Sequence, residues 1–384
     1  DAKYYLGVLN HEYIFDGKTL DNEPIYTNEI ISFIDMTEIT KELQPLIIEA
    51  IDSVIDRVTN DDESRVHLGK HCQLKKMREC IYKDLCYDMF PKKNSILMYL
   101  DKHNGFKDEG GVKHEYFDLI SDKYYSMEDV PHEWLHRRNN QIQRDVALTK
   151  KVYVDDQKIK DAINTIQYPI YHLDFESFPC PLPRFKGEKA YMQSLFQFSL
   201  HIERGPGDCD KEIDHYEYLA KDHSDSRLEL VEKLCEYIGD DDGSVMVYNE
   251  AFEKTRIKEL AKFYPEYSDK LLSINERLFD LLHIVKTNTK LFESLGYDTD
   301  RAKTINYYHE DLEGSFSIKK VLPVFSDLTY DGMQVSNGMA AVYAYAGFNK
   351  LNPTELQEVR EALTEYCKQD TWAMVEILEE LRKI

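Results

Sequence analysis

Two groups of residues in this chain have the types and spacing for chemistry. The first is a pair of carboxylates, Asp174 and Glu176, in the stretch Tyr168-Pro169-Ile170-Tyr171-His172-Leu173-Asp174-Phe175-Glu176-Ser177-Phe178. Its front half is β-branched, aromatic and apolar, with a proline ahead of it, and predicts a buried strand. Strand side chains alternate between faces. Leu173 and Phe175 therefore share one face, and Asp174 and Glu176 share the other. Two carboxylates about 7 Å apart along a strand repel each other. A divalent cation relieves that repulsion, because hard cations take carboxylate oxygens. A strand with an acidic exposed end carries the same three letters, so D-x-E alone is a weak signal. The second group is Cys72-x7-Cys80-x5-Cys86, with His67 and His71 just ahead. Thiolates this close together suit a metal or an iron–sulfur cluster; three buried free cysteines would read the same way.

The composition sets limits on what these groups serve. A chain of 384 residues, 42% hydrophobic and 31% charged, has room for two domains with proper cores. No run of about 18 apolar residues is present, and no signal-peptide pattern opens the sequence. The expectation is a cytoplasmic protein without a membrane span. Seven cysteines, an odd number, argue against a disulfide framework. Cys180, Cys209, Cys235 and Cys367 are scattered and read as ordinary free thiols. The net charge of −23 argues against a protein that coats nucleic acid non-specifically, yet leaves room for a nuclease with a local basic groove. Two stretches oppose the acidic trend. Arg65 to Lys93 holds eight Lys/Arg against three Asp/Glu, and His132 to Lys160 holds seven against four. Solvated helix faces and nucleic-acid contacts both account for such runs.

The elements that must position the carboxylates follow from periodicity. The first 58 residues predict a strand over 4–10, a second near Ile30–Ile34, and a helix capped by Thr37 or Thr40 that runs to about Arg57. This is too little to bury a core. Residues 94–165 read as a helical connector broken by glycine loops, which makes the N-terminal region mostly helical. From Tyr168 the pattern turns α/β. Strands are predicted at Leu195–Ile202, Tyr216–Leu219 and Ser244–Asn249, with Gly205-Pro206-Gly207 turning an antiparallel hairpin. Helices are predicted from Arg227 to Ile238, from Glu250 to Phe263 and from Asp269 to Lys286, and residues 288–310 read as a loop. Met339–Gly347 predicts a helix of small residues. Asn352-Pro353-Thr354 offers an N-cap with proline at the first position of a last helix that runs to the end of the chain.

Three hairpin-like strands, a helix, a fourth strand and further helices are the order of an RNase H-like fold. Residues 166–384 resemble the DEDD 3′–5′ exonucleases, relatives of proofreading domains, RNase D and RNase T. More closely, they resemble a bacterial domain family of unknown function that is often joined to iron–sulfur nuclease modules. The phrases that carry the resemblance are Leu173-Asp174-Phe175-Glu176, Phe196-Gln197-Phe198-Ser199 and Ser315-Phe316-Ser317-Ile318-Lys319-Lys320-Val321-Leu322-Pro323. It implies an RNase H-like mixed sheet flanked by helices. Asp174 and Glu176 match the family's first acidic pair. Asn249-Glu250-Ala251-Phe252-Glu253 matches the second motif, with Glu253 where the usual acid is Asp, and with Asn249 and Phe252 as substrate contacts. Tyr366-Cys367-Lys368-Gln369-Asp370 matches the third, Y-x3-D. Each residue alone has a plainer reading: a helix cap for Asn249 and Glu253, a core ring for Tyr366, an exposed acid for Asp370. Residues 64–93 resemble the cysteine-rich C-terminal end of PD-(D/E)XK iron–sulfur nucleases. Their first gap is seven residues where that family usually has two, and no cysteine precedes Cys72. The fourth ligand of a [4Fe–4S] cluster then lies upstream of Asp1, or a histidine serves, or no cluster forms.

What the DEDD resemblance implies is hydrolysis of phosphodiester bonds in single-stranded DNA or RNA, with two Mg²⁺ or Mn²⁺ ions about 4 Å apart. Asp174 would bridge both ions, Glu176 and Asp370 would hold the one that activates water, and Glu253 would reach the other, through water. Tyr366 lies one helical turn before Asp370 and would orient the attacking water. Asp280 reads as structural. The alternative is an RNase H-like module that no longer cuts and binds nucleic acid or a protein partner; Glu253 in place of Asp keeps it open. These expectations divide the chain into 1–93, the tail of an iron–sulfur nuclease domain; 94–165, the connector; and 166–384, the exonuclease-like domain.

Overall fold

The computed structural model describes residues 2–21, 23–60, 68, 72, 80–101 and 105–384. His67 and His71 lie outside the described residues. The chain divides into two compact units, residues 1–80 with 179–194 and residues 81–178 with 195–384.

The first unit has an antiparallel pair, β1 (Tyr5–Leu9) and β2 (Ile31–Asp35), followed by α1 (Thr37–Asn60). Tyr13, Phe15 and Ile30 form a small core. The Phe15 amide donates to the Glu188 carbonyl at 2.9 Å, and the Tyr26 hydroxyl donates to the Pro183 carbonyl at 2.9 Å. These bonds tie the proline-bearing loop 179–194 to this unit. The apolar positions of α1, among them Leu46, Ile47, Val54 and Ile55, are exposed. Their spacing foretells a helix but does not supply a partner for it.

The second unit is α/β. After α2 (Arg138–Thr149) comes a five-stranded mixed sheet of β3 (Ile170–Pro179), β4 (Gln193–Glu203), β5 (His215–Leu219), β6 (Val245–Val247) and β7 (Leu278–Asp280). The strand order is β5-β4-β3-β6-β7. β5 runs antiparallel to β4, pairing Tyr218 with Phe198, and β6 runs parallel to both β3 and β7. The chain crosses from β5 to β6 through α3 (Arg227–Tyr237) and from β6 towards β7 through α4 (Ala251–Phe263). Two further helices, α5 (Ile318–Phe325) and α6 (Pro353–Arg382), complete what the site needs. The expected α/β class, a mixed sheet flanked by helices, is what the chain adopts.

β7 departs from expectation. Asp269–Lys286 predicts one helix, but the chain forms a helix over Ser268–Glu276, then β7, then a short helix over Leu282–Val285. Three residues are too few to carry a period-two signal. β7 is fixed instead by pairing Met246 with Phe279 and Val247 with Asp280. Residues 288–310, expected as a loop, contain short helices at Thr289–Ser294 and Thr299–Lys303 and a strand at Tyr307–Tyr308. No described helix is long and apolar enough to cross a membrane.

Residues 94–165, read as a connector, pack into the second unit. Leu100, Ile142, Val146, Ile159 and Ala162 join one core with Leu173, Phe198 and Val247. The buried Gln143 amide donates to the Tyr308 hydroxyl at 2.9 Å. Gly314, at φ 74°, marks how close this packing is, because a Cβ there would lie 1.9 Å from the Met98 carbonyl oxygen. Gly314→Ala should therefore destabilise the chain by about 2–4 kcal/mol. Gly296→Ala, at φ 91° with nothing within 4 Å, should cost only backbone strain of about 1 kcal/mol. Urea unfolding reads both; equal losses would contradict the close approach of residue 98 to residue 314.

Candidate metal centre

The site is built on the polar face of β3. Alternation puts His172, Asp174 and Glu176 on that face, and α6 covers it. α6 starts firmly: Asn352 accepts from the amides of Thr354 and Glu355, Glu355 returns a bond to the Asn352 amide, and Pro353 takes the first turn. Leu363, Tyr366, Asp370, Ala373, Met374, Ile377 and Leu381 then bury one helical face. In its last turn Arg382 bonds Glu203, and its guanidinium donates to the Tyr168 hydroxyl at 2.6 Å. His172, fully buried, lies 3.2 Å from the same Glu203 through Nε2. The C-terminal end of α6 thus sits at the beginning of β3, which brings Asp370 towards the strand's other end.

There Asp174, Glu176 and Asp370 converge, with one oxygen from each within 4.8 Å of the others. Glu176 and Asp370 are buried and Asp174 is partly so. Loss of water shifts all three, and repulsion by neighbouring carboxylates adds to it at Asp174 and Glu176. Burial, then the charges of Asp370, Glu176 and Glu253, hold the Asp174 carboxyl well above the usual range. Burial and the Asp370 charge push Glu176 up to about 8. Burial pushes Asp370 up to about 6, against hydrogen bonds from Tyr330 and Tyr366 that favour its charged form.

Several groups moderate this repulsion. The Tyr330 hydroxyl donates to Asp370 Oδ1 at 2.6 Å. The Tyr366 hydroxyl also bonds Asp370; burial and the surrounding carboxylates push its pKa up, so it stays protonated and acts as a donor. The Cys367 thiol lies 3.7 Å from Asp174 Oδ2. Lys319, in the second turn-forming position of α5, has its ammonium 5.0 Å from the Tyr330 ring and 5.4 Å from the Tyr366 ring. It donates to the Ser336 carbonyl, and its charge favours the ionised forms of Glu176 and Asp370.

Glu253 stands just beyond the turn that joins β6 to α4. Asn249 takes φ 69° there, a conformation that Asn tolerates better than most residues. Asp280, at the end of β7, fixes the turn by accepting from the amides of Asn249 (2.9 Å) and Glu250 (3.1 Å). Glu253 follows in the first turn of α4, buried, and its Oε2 has no hydrogen-bond partner among the described residues. Burial pushes it up to about 8. It stands outside the three-oxygen group, yet its charge bears on Asp174 and Glu176. Phe252 is half-buried against the core, with Arg256 5.4 Å from its ring, and Asn249 is exposed.

The residues present fit divalent cations. All donors are hard carboxylate oxygens, three are already close, and the buried Glu253 oxygen lacks a partner among the described residues. The cysteines behave otherwise. Cys72 and Cys86 are half-buried, Cys80 is exposed, and among the described residues the three do not come together as ligands of one ion. Residues 73–79 between them lie outside the described residues. Lys319 and Cys367 are legible in the sequence, since Lys319 lies within Ser315–Pro323 and Cys367 within Tyr366–Asp370. Tyr330 is not; it lies in an irregular stretch with no periodicity to place it.

Residues 171–317 match the model of a family described as a domain of unknown function, DUF2779. That match spans β3 to the start of the Ser-Phe-Ser-Ile-Lys-Lys phrase and so contains Asp174, Glu176 and Glu253. The chain is similar to an uncharacterized protein of Mycoplasma genitalium, 26% identical over 247 residues, covering 60% of this chain and 34% of that protein. An uncharacterized protein of Ureaplasma parvum is 26% identical over 258 residues, covering 62% of this chain and 32% of that protein. A Mycoplasma pneumoniae homologue of the first is 31% identical over 160 residues, 38% of this chain and 21% of that protein. The chain spans about a third of the length of the first two of these relatives. No solved structure matches it.

Proposed function

We propose that the second unit is a metal-dependent phosphodiesterase of the DEDD type, which removes nucleotides from the 3′ end of single-stranded nucleic acid. The observation that carries this reading is the meeting of Asp174 and Glu176 on β3 with Asp370 on α6, beside Tyr366 one turn earlier. Divalent ions, when bound, would supply the charge that activates water and stabilises the leaving oxygen. Asp174, Glu176 and Asp370 would hold them, with Glu253 as a further acid whose charge reaches Asp174 and Glu176. Tyr366 and Tyr330 keep Asp370 oriented by donating to it, and Tyr366, protonated at neutral pH, aims a water rather than removing its proton. Lys319 holds the two tyrosine rings in place. A cytoplasmic location, expected from the sequence's lack of a long apolar run and of a signal-peptide pattern, and a [4Fe–4S] cluster at Cys72, Cys80 and Cys86, implied by the resemblance of residues 64–93, are further parts of this proposal.

Incubating a 3′-labelled single strand with Mn²⁺, or with EDTA, tests the reading. Wild type should shorten the strand with Mn²⁺ only. Asp174→Asn should abolish cleavage with the fold intact, because the amide keeps the shape and loses the charge. Tyr366→Phe should slow cleavage roughly tenfold to a thousandfold. Glu253→Asp should be tolerated or faster. An inert wild type that Glu253→Asp alone awakens would support the binding-module reading; equal cleavage by Asp174→Asn would place the chemistry elsewhere.

The acid cluster also predicts a pH dependence. Glu176 and Glu253 titrate near 8 in the folded chain against 4.5 ordinarily. Between those values the folded chain holds protons that the unfolded chain has released, so metal-free stability falls as pH rises through the window. Bound Mn²⁺ opposes this fall. The Mn²⁺-induced rise in Tm should be near zero at about pH 5 and roughly 3–6 °C at about pH 8 with saturating metal. A rise independent of pH, or one retained by Asp174→Asn, would contradict the assignment of these ligands.

A further inference from the structure

The basic segment His132–Lys160 is not used by the acid cluster, and the structure gives it a shape. A cleft of about 960 Å³ opens where α2 begins, lined by His136, Arg137, Arg138, Arg301 and Lys303. A second cleft, of about 350 Å³, continues it by sharing His136 and Arg137, and adds Lys107 and Lys113. Together they gather six Lys/Arg against three Asp (Asp101, Asp155 and Asp300) in a chain whose net charge is −23.

Not all of these cations are available. Arg301 is spent in a two-pronged bond to Asp155, at 2.8 and 3.1 Å. Arg137 donates to the Asp101 carbonyl, and Lys113 lies 3.7 Å from Glu115. Arg138 makes only a long 3.4 Å bond, to Gln141, and among the described residues neither it, Lys303 nor Lys107 has a carboxylate within ion-pair distance. All three are exposed. Of these three unspent cations, Arg138 and Lys303 line the first cleft and Lys107 lines the second, which shares His136 and Arg137 with it; Asp101 and Asp300 are the acids not engaged by Arg301.

We propose that this groove binds the phosphates of a polynucleotide backbone, as a site additional to the acid cluster. The inference rests on the phosphodiesterase reading for its choice of a nucleic-acid chain. Cations spread over two joined clefts suit successive phosphates better than the single phosphate of a free nucleotide. Recognition here is of backbone and not of bases. Of the aromatic residues lining the second cleft, Phe106 is buried, and Trp134 is stacked on His114 at 4.2 Å and lies parallel to Tyr124 at 6.2 Å, so its ring is already engaged within the protein; Tyr153, in the first cleft, is half-buried. Such a site would hold the strand while its 3′ end is processed, and would tolerate any sequence.

The test is fluorescence anisotropy with a labelled 20-nucleotide single strand and the whole chain in EDTA, where no metal-dependent cleavage occurs. Binding is thus read separately from hydrolysis, and a failure of the phosphodiesterase reading cannot imitate a failure here. R138E/K303E should weaken binding at least tenfold. The same charge change on the exposed face of α4, K258E/K262E, should weaken it less than threefold. With about three phosphates neutralised, log K should fall with log salt at a slope near −2, since each phosphate contributes about −0.7 for single strands. R138Q/K303Q should flatten that slope by about 1.4 and guards against misfolding from charge reversal, with thermal unfolding as the check on both pairs. Equal losses from the two reversed pairs, or no loss from R138E/K303E, would overturn the groove. Thymidine 5′-monophosphate competing as well as the 20-mer would make it a mononucleotide site and overturn the polymer assignment.

Discussion

The structure of the second unit turns on carboxylates that are held together with little water around them. Asp174, Glu176 and Asp370 place oxygens within 4.8 Å of one another, and Glu253 adds a fourth charge nearby. Left to themselves, such groups separate or take up protons, and the raised pKa values are the measure of that tendency. What prevents separation is the frame around them. β3 is a central strand with pairing partners on both edges. α6 is thirty residues long, boxed at its start and anchored at its end by Arg382 on Glu203. The acids are fixed because neither element can move without breaking contacts far from them.

The surrounding polar groups have a consistent sense. Tyr330 and Tyr366 donate to one carboxylate, Lys319 lies against both tyrosine rings, and Asp280 locks the turn just ahead of Glu253. None neutralises the cluster. They favour the charged form of Asp370 while leaving Asp174 without a charged partner, which suits acids whose counter-charge is supplied from outside. Glu203 makes the contrast: equally enclosed, it is held down to about 2 because bonds from His172 and Arg382 outweigh its burial. One face of β3 thus carries a carboxylate paired with Arg382 and His172 at its beginning and, at its end, a cluster of acids without a cation bonded to them among the described residues.

Much of this was legible in the sequence, for identifiable reasons. The D-x-E strand, the Asn-to-helix turn and the Y-x3-D helix are local patterns whose spacing fixes the direction of each side chain, and Asp174, Glu176 and Asp370 meet as those directions require. Tyr330 reaches Asp370 through an irregular stretch, so only tertiary structure could reveal it. β7 was hidden because three residues inside a helix-forming run have no period of their own. The connector reading of 94–165 missed its packing because Leu100 lies in a turn and Ile142 and Ile159 on two separate helices. Each stripe is too narrow to look like core until the sheet is beneath it. The proline-rich loop after β3 is legible as a loop, but its bonding to Phe15 is not, since Phe15 lies far away in the chain.

Whether these acids bind metal or are merely buried decides the proposed chemistry. Anomalous scattering from crystals of the chain grown with Mn²⁺ tests it most directly. The account predicts peaks between β3 and α6, two of them about 4 Å apart, with oxygens of Asp174, Glu176 and Asp370 in the first coordination sphere. Crystals soaked in Mn²⁺ that show no peak there, with Asp174 and Glu176 turned apart and the ion bound elsewhere, would contradict it.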